Sequence, residues 1–477
     1  MSRLRFFTVL ILCALAKIEA TETLEVIRVE GLPAQTFQGV LAKPGGIVVW
    51  GNAFGCPKGA SAKLDLLGQD PAQIPGDGNP EGTPAFLADH PARTGFVLSC
   101  DATGQVKSGM RFATGLATID AAAVAPDGTL FTAGLARNGF RALTSNLKTV
   151  PAKNDPRYGS VSSLGITMPG DVYLAKWNVD LKSLAWVVIF EGHRKAPDHL
   201  VLTSDGKIFL AVRSVFSVTQ DGKNVQECGI QETNTESQAS FFADISADGK
   251  SILMAGWLGY QDRARPWVGP LVELRSPEGK LQRRFYDWTP ALVGNPAINL
   301  LNPAPISHAA SLSTGALAVA AMSQDDNTVL GASPVDPSRP LNRSGKQTSE
   351  SRGTVERVHL AVFDPQTPLK GAWIQLAHSE GRLLLNGLRA LSGGRLMVFG
   401  EQGKTASGGK GALPIYAGKP DGFVAIYNAD LSATLPVKML PNLKITDIQE
   451  VGGNLFITGG ILGEKSPATV LLRLAMK

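Results

Sequence analysis

The chain contains few of the residues that bind metals or form disulfides. It has four cysteines and six histidines among 477 residues. No C-x-x-C pair occurs, which argues against a zinc site, a dithiol redox site or covalently attached haem. Once the first 20 residues are set aside, Cys56, Cys100 and Cys228 remain, and three cysteines cannot all pair within one chain. Two interpretations stay open: buried thiols, or one bridge such as Cys56 to Cys100.

The short motifs of common enzyme classes are also missing. The sequence holds no G-x-S-x-G or H-E-x-x-H motif, no glycine-rich phosphate loop that opens a helix and no EF-hand spacing, so the corresponding chemistries are not indicated. Charged residues make up only 18% of the chain, and the formal net charge is +5. Because no run of Lys and Arg is interleaved with aromatic residues, the sequence argues against nucleic acid as a partner.

The N-terminus has the order of a secretory signal peptide. Arg3 and Arg5 precede a largely apolar run over 6–16, and a short polar stretch then ends at Ala20. The apolar run is too short to span a bilayer. We therefore predict a signal peptide over 1–20 and a mature chain that begins near Thr21 and has no transmembrane segment. The expected location is secreted or periplasmic.

One hairpin motif recurs seven times along the chain. A turn of the Asp-Gly or Gly-Gly type is followed by an apolar strand that often ends in Gly or Ala, and such turns join antiparallel strands. The copies are PGGIVVWG (44–51), PDGTLFTAG (126–134), SDGKIFLAV (204–212), ADGKSILMAG (247–256), STGALAVAA (313–321), SGGRLMVFG (392–400) and VGGNLFITG (451–459).

A second hairpin follows most copies, so that each repeat supplies four antiparallel strands, the number in one β-propeller blade. The predicted repeats are 36–112, 117–190, 197–229, 239–288, 306–376, 382–440 and 442–477. The last repeat ends after its third strand, and the alternating segment 23–32 can supply the fourth. The expected fold is all-β: a seven-bladed β-propeller whose last blade is closed by an N-terminal strand. The competing interpretation is one or two β-sandwiches with coincidental turns.

The repeat resembles the bacterial SBBP β-propeller repeats. Their pattern is a strand, an Asp-Gly turn, a strand that ends near Gly, a strand similar to D-x-F-V-A-K and a strand that contains Trp. The second repeat matches best, with DVYLAKWNVDLKSLAWVVIFEG (171–192) leading into DHLVLTSDGKIFLAV (198–212), while the third and fourth repeats match loosely. The resemblance implies a propeller in an extracytoplasmic setting and no particular chemistry.

Long insertions indicate which face of a propeller would bind a ligand. In a blade, the loop between the second and third strands lies on the same face as the connection to the next blade. The insertions fall in that loop, at 53–94, 135–170, 257–268, 323–357 and 401–421, and loops on a rigid scaffold commonly carry binding sites. The main interpretation is therefore an exported, non-catalytic propeller that binds a protein, a glycan or another extracellular ligand on this loop-rich face.

Polar residues recur about eight positions before the turn glycines, where the innermost strand of each blade begins beside the central channel. They are Gln38, Asp120, Asp198, Ser307 and Asn386, whereas Phe241 and Ile445 interrupt the series. Such a ring of oxygen-bearing side chains could bind a polar ligand or hold a divalent cation in the central channel. The same side chains could also satisfy local backbone donors.

Two histidines suggest an alternative function. His199 and His308 directly follow Asp198 and Ser307, and His199, His308 and Asp198 could serve as bases or metal ligands of a hydrolase or lyase at the channel mouth. Such a site requires these groups to converge in a pocket, whereas a binding platform requires only an exposed patch. The sequence does not identify a ligand or a partner.

Overall fold

The computed structural model describes most of the segments that the sequence predicts to be strands. The described residues are 24–27, 36–54, 64–68, 93–113, 115–151, 171–191, 196–197, 199–203, 205–212, 215–228, 237–245, 251–262, 265–286, 306–324, 356–366, 372–376, 382–406, 415–461 and 468–475. The chain forms two compact units. The first is Val29–Pro266 with Leu271–Asp287, and the second is Met1–Arg28 with Trp267–Pro270 and Trp288–Lys477.

Secondary structure in the described residues consists of strands and two short 3-10 helices. The strands in chain order are β1 Leu24–Ile27, β2 Thr36–Lys43, β3 Gly46–Phe54, β4 Leu64–Leu67, β5 Arg93–Asp101, β6 Val106–Phe112, β7 Ala121–Val124, β8 Leu130–Ala136, β9 Leu147–Val150, β10 Asp171–Trp177, β11 Leu184–Phe190, β12 His199–Leu202, β13 Ile208–Ala211, β14 Val215–Val218, β15 Val225–Glu227, β16 Ser237–Ile245, β17 Ile252–Asp262, β18 Arg265–Arg275, β19 Leu281–Tyr286, β20 Ile306–Ser311, β21 Leu317–Gln324, β22 Glu356–Phe363, β23 Ala372–Leu376, β24 Arg382–Ala390, β25 Leu396–Ala406, β26 Ile415–Tyr427, β27 Ala433–Leu440, β28 Leu443–Val451, β29 Asn454–Ile461 and β30 Ala468–Ala475. The 3-10 helices are Asn138–Leu143 and Ser392–Gly394.

The first unit contains four sheets, each built on a meander of four successive strands. Their strand orders are β2-β3-β5-β6-β4, β7-β8-β10-β11-β9, β12-β13-β14-β15 and β16-β17-β18-β19. In the first two sheets the additional strand, β4 or β9, comes from the insertion after the second strand. It pairs in parallel with the outermost strand, β6 or β11.

The second unit contains three sheets, and the last one includes the N-terminal strand. The strand orders are β20-β21-β22-β23, β24-β25-β26-β27 and β28-β29-β30-β1. Strand β1 runs antiparallel to β30, with Leu24 opposite Leu474 and Ile27 opposite Leu471. This pairing completes the last sheet and covers the edge of β30.

The seven sheets make the chain an all-β, seven-bladed β-propeller closed by an N-terminal strand, which confirms the predicted fold class. The β-sandwich interpretation is wrong, because each meander forms a separate small sheet. The sheets are called blades 1 to 7 below, in chain order.

Apolar side chains are buried between neighbouring blades. In the first unit, one core cluster joins blades 1 and 2, a second joins blades 2 and 3, and a third joins blades 3 and 4. In the second unit, the clusters join blades 5 and 6 and blades 6 and 7. For example, the rings of Phe112 in blade 1 and Trp177 in blade 2 lie 5.6 Å apart. Because both faces of a sheet are covered, strands such as β11 (LAWVVIF) are almost continuously apolar.

Glycine is required in the turn that joins the first and second strands. Gly128, Gly206 and Gly315 have φ of 88°, 84° and 84°, a region that other residues rarely adopt. The preceding Asp127 accepts the N–H of Thr129 at 2.9 Å, and this bond is the main cause that holds the pKa of Asp127 below its usual value. The Asp-Gly pair therefore has a structural role here: it forms the turn between two strands.

Two of the predicted insertions are largely strand. Residues 257–268 and 401–421 were expected to form loops, but β17 reaches Asp262, β18 begins at Arg265, β25 reaches Ala406 and β26 begins at Ile415. Long hairpins satisfy the backbone hydrogen-bonding groups that a loop would leave to solvent. Within the described residues, no helix has the length and apolar character needed to cross a membrane.

Candidate functional site

The polar positions predicted beside the channel coincide with a β-bulge in the first strand of the blade. In β2, Phe37 pairs with Gly51 and Gly39 pairs with Trp50, so that Gln38 is not paired with a residue of β3 in the strand register. The same break in register occurs at Ser307 in β20 and at Asn386 in β24. A bulge leaves one residue unpaired and redirects its side chain. Three of the predicted residues therefore share one backbone feature.

Blade 7 has the same bulge, one residue beyond the predicted position. Ile445 pairs with Gly459 and Asp447 pairs with Thr458, which leaves Thr446 unpaired. The series therefore continues in blade 7 through a hydroxyl-bearing residue and is not interrupted by Ile445.

The remaining members of the series differ from one another. Asp120 directly precedes β7, and the register shifts by one residue between the pairs Ala117–Ala136 and Ala121–Ala133 on either side of it. In blade 4, Phe241 and Phe242 pair in sequence without a bulge. Asp198 and the side chain of Ser307 lie outside the described residues.

In blade 1, the bulge residue takes part in a hydrogen-bonded link to blade 2. Asn52, on the second strand, donates from Nδ2 to Oε1 of Gln38 at 3.0 Å and to the carbonyl oxygen of Ile119 at 2.7 Å. Its Oδ1 accepts the N–H of Ile119 at 2.8 Å. Asn52 is 1% exposed, so its amide satisfies both backbone groups of a residue in the next blade without competition from water.

An equivalent link joins blade 6 to blade 7. Asn386 donates from Nδ2 to Oε1 of Glu401 at 2.8 Å and to the carbonyl oxygen of Ile445 at 2.6 Å. Glu401 follows Gly400 as Asn52 follows Gly51, and Ile445 precedes its bulge as Ile119 precedes Asp120. Here the bulge residue supplies the bridging amide. We call this pair of arrangements the interblade clasp.

The other described bulge side chains also form local hydrogen bonds. Asp120 Oδ2 accepts from Thr118 Oγ1 at 2.6 Å, and Thr446 Oγ1 donates to Thr458 Oγ1 at 3.1 Å. Among the described residues, no group of three or more His, Cys, Asp or Glu side chains is placed to hold a metal ion. Because part of the series lies outside these residues, the divalent cation stays a prediction.

The two candidate histidines occupy the first strands of their blades. His308 pairs with Ala320 in blade 5, and His199 pairs with Ala211 in blade 3. Burial lowers the pKa of His308 to about 4, and a hydrogen bond with the backbone of Asn386 opposes part of that shift. An imidazole with this pKa is neutral at pH 7 and is a weak general base.

A charged group that the sequence did not single out lies at the loop-bearing end of blade 2. Arg141, in the 3-10 helix of the insertion, donates from Nη2 to Glu191 Oε1 at 2.8 Å and to Asp171 Oδ2 at 3.4 Å. Asp171 begins β10 and Glu191 follows β11, so the pairing of Val172 with Phe190 places the two carboxylates side by side. The hydrogen bond to Glu191 is the main cause that raises the pKa of Arg141.

Arg141, Asp171 and Glu191 are joined by ion pairs, and their side chains are partly accessible to solvent. Neighbouring carboxylates repel each other, and the guanidinium offsets that repulsion. The side chains remain 34%, 30% and 38% exposed, respectively. Because the three residues are 30 and 50 positions apart in the chain, no local motif could have indicated them.

The described cysteines are inaccessible. Cys100 and Cys228 are free and buried, and burial raises the pKa of Cys100 to about 12. Burial also raises the pKa of Cys228. Cys56 lies outside the described residues. The free thiol of Cys100 favours the interpretation of buried thiols.

Cys100 and Cys228 are therefore expected to resist alkylation. At pH 8 we expect the native chain to react with iodoacetamide at these positions at least about 100-fold more slowly than the urea-unfolded chain, because both access and the thiolate fraction are low. Mass spectrometry of the labelled peptides measures both rates. Fast native labelling of Cys100 would contradict its buried position.

Comparison with known proteins does not identify a family for this chain. No family model matches the chain, and no curated protein matches it. One similar solved structure is the GH93 α-L-arabinofuranosidase of Fusarium graminearum in complex with arabinobiose. It is 11% identical, with a TM-score of 0.35, and the match covers 75% of this chain and 92% of that chain. At this TM-score the similarity carries no argument about the fold or the activity of the chain.

Proposed function

We propose that this chain is an exported, non-catalytic β-propeller that binds an extracellular protein or glycan at the loop-bearing ends of its blades. The carrying observation is the group of Arg141, Asp171 and Glu191, in which Arg141 of the insertion pairs with two carboxylates at the end of blade 2 and all three side chains are partly exposed. Charged groups at the rim of an interface give specificity and fast association. Loops on a rigid scaffold are the usual carriers of such groups.

Packing beneath Arg141 supports this proposal. Phe140, the preceding residue, is fully buried, and its ring centroid lies 4.4 Å from that of Tyr173 on β10. Leu143, at the end of the same 3-10 helix, packs against the core between blades 1 and 2. The insertion is therefore anchored on both sides of Arg141, and a ligand would meet side chains that are already in position.

The inner-strand candidates direct the proposal to the loop-bearing ends. Gln38, Asp120 and Asn386, which the sequence suggested as ligand-binding residues, form hydrogen bonds within or between blades. His308 has a pKa of about 4, which argues against the enzyme alternative. The alternative, a hydrolase or lyase that uses His199, His308 and Asp198, needs a base with a pKa nearer to the working pH.

Matched substitutions at the two ends of the blades test the proposal. The full mature chain is applied to an array of defined oligosaccharides and to a panel of purified extracellular proteins. We expect Arg141→Ala to weaken binding of the recognised probe about tenfold, which corresponds to about 1.4 kcal/mol. The control is Lys107→Ala, because Lys107 forms an ion pair with Asp101 at 2.7 Å at the opposite, turn-bearing end of blade 1. Lys107→Ala should leave binding unchanged.

Two outcomes would contradict the proposal. Equal loss of binding in both variants would show that the loop-bearing end is not the recognition surface. Cleavage of an arrayed glycan, detected by mass spectrometry and abolished in His308→Ala, would favour the alternative enzyme.

Export is tested separately. The proposal rests on the basic, apolar and polar order of residues 1–20. When the full gene is expressed, we expect the extracytoplasmic fraction to contain a chain that begins at Thr21, as measured by intact mass and N-terminal sequencing. A cytoplasmic chain that retains Arg3 and Arg5 would contradict export.

A further inference from the structure

A cavity lies between blades 6 and 7, beside the turns that join the first and second strands of these blades. Its volume is about 480 Å³, within the range of roughly 300–1,000 Å³ that is usual for small-molecule sites. Blade 6 lines it with residues 390–392, and blade 7 lines it with residues 449–450 and 452–453. We propose that this cavity binds a neutral sugar unit. The proposal goes beyond the proposed function, which concerns the loop-bearing ends of the blades.

Two arginines of blade 6 hold the polar side chains on the blade 7 side of the cavity. Arg395 Nη2 donates to both carboxylate oxygens of Glu450, at 2.8 and 3.0 Å, and its Nε donates to the carbonyl oxygen of Ser392 at 3.1 Å. Arg389 Nη1 donates to Oε1 of Gln449 at 3.5 Å. Because these contacts hold the side chains in place before a ligand arrives, binding requires less ordering of the site.

The same side chains offer both donors and acceptors to a ligand. A carboxylate accepts about four hydrogen bonds, so Glu450 has acceptor sites beyond the two that Arg395 uses. Ser392 Oγ accepts from Arg395 Nη2 at 3.3 Å, which leaves the hydroxyl hydrogen able to donate. Gln449 Nε2 carries two N–H groups, and the carbonyl oxygen of Glu450 accepts one of them at 3.2 Å. Adjacent hydroxyl groups on a sugar ring each donate and accept, so they match this mixture.

The charges beside the cavity are balanced. Arg395 forms an ion pair with Glu450 at 2.8 Å, and Arg389 forms one with Asp447 at 2.6 Å. An anionic ligand would meet the carboxylate of Glu450, and a cationic ligand would meet the guanidinium of Arg395 next to it. Because like charges brought together oppose binding, a neutral polar ligand fits this site better than a charged one.

The rest of the cavity suits the C–H groups of a sugar ring. Ala390 is exposed, and the side chain of Leu391 belongs to the core between blades 6 and 7. Gly452 and Gly453 are exposed, and nothing lies within 4 Å of a Cβ atom added to either, so a ligand can approach the backbone there. Among the described residues that line the cavity, none is aromatic. Without a ring to stack on, we expect a Kd on the order of 1 mM.

Saturation-transfer difference NMR of the full mature chain at about pH 6 tests the ligand class. Glucose, galactose and mannose are the neutral probes, and glucuronate and glucosamine are the anionic and cationic ones. We expect at least one neutral sugar to bind with a Kd of about 1 mM, and both charged sugars to bind more weakly. No transfer signal from any neutral sugar, or equal or tighter binding of a charged one, would overturn the proposal.

Matched variants locate the bound sugar. Ser392→Tyr places a large side chain at the cavity and should weaken binding of the neutral sugar at least about tenfold. Ser313→Tyr changes an exposed residue in the corresponding turn of blade 5, away from the cavity lining, and should leave binding unchanged. Arg141→Ala should also leave it unchanged, which separates this site from the loop-bearing end. Unchanged binding in Ser392→Tyr, or loss of binding in Arg141→Ala, contradicts the assignment.

Hydrogen exchange of the unmodified chain covers the case in which Ser392→Tyr does not fold. With the neutral sugar at a saturating concentration, we expect slower exchange in 390–395 and 449–454 than in the free chain. Slower exchange that is confined to other segments, or no change at all, overturns the proposal.

Discussion

Replacing Arg389 by alanine is expected to lower the free energy of unfolding by about 3 kcal/mol, because a buried carboxylate would lose the guanidinium that pairs with it. Arg389 on β24 donates from Nε to Asp447 Oδ1 at 3.0 Å, and from Nη2 to both carboxylate oxygens at 2.7 and 2.6 Å. The Asp447 side chain is only 8% exposed, while that of Arg389 is 32% exposed. Removing the more exposed partner therefore takes the guanidinium away from the less exposed charge.

A double-mutant cycle separates this cost from general disruption of the seam. In urea unfolding of the full chain, Arg389→Ala and Asp447→Ala are compared with the double variant, and we expect a coupling energy of about 2 kcal/mol. The control is Arg395→Ala at the same seam, where the partner Glu450 is 15% exposed. This loss should be smaller, about 1 kcal/mol, because water reaches the remaining carboxylate more easily. Equal losses at the two positions, or additive single changes, would contradict the role assigned to Arg389.

The features that could be predicted from the sequence are local ones. An Asp-Gly turn such as 127–128 fixes a hairpin within a few residues, and the recurrence of this turn was enough to count the blades. The closing strand was visible as an alternating segment at one end of the chain and a missing strand at the other. Both inferences use neighbouring residues and the requirement that strand edges be covered.

The features that were missed depend on contacts between distant segments. Asn386-Gly387 has the composition of a hairpin turn, yet it lies inside β24 as a bulge. The reference glycine does not occupy the same place in every turn: Gly46 begins β3, whereas Gly453 precedes β29. The count from that glycine therefore identified Ile445 where the structure has Thr446. Arg141 reaches its partners across the fold of blade 2. Residue spacing along the chain cannot report such contacts.

Gly387 shows why a glycine follows the bulge residue in blades 1 and 6. Its replacement should cause one of the largest losses of stability in the second unit. A Cβ atom at Gly387 would lie 2.0 Å from Cζ of Phe399, and one at Gly39 would lie 2.5 Å from the ring of Trp50. Phe399 is 1% exposed, so its ring cannot turn into solvent without opening the core. We therefore expect Gly387→Ala to lower the free energy of unfolding by about 3 kcal/mol through overpacking.

Two further variants distinguish lack of space from loss of backbone freedom. Gly393→Ala lies in the turn of the same blade, at a φ of 72° and with nothing within 4 Å of the added Cβ. It should lower the free energy of unfolding by only about 1 kcal/mol, the penalty for a left-handed residue.

Adding Phe399→Leu to Gly387→Ala should restore about half of the lost stability, because the smaller side chain vacates the volume that the new methyl group needs. Urea unfolding measures all three variants. If Gly393→Ala costs as much as Gly387→Ala, or if Phe399→Leu gives no rescue, then close approach of the aromatic ring is not what requires glycine at this bulge.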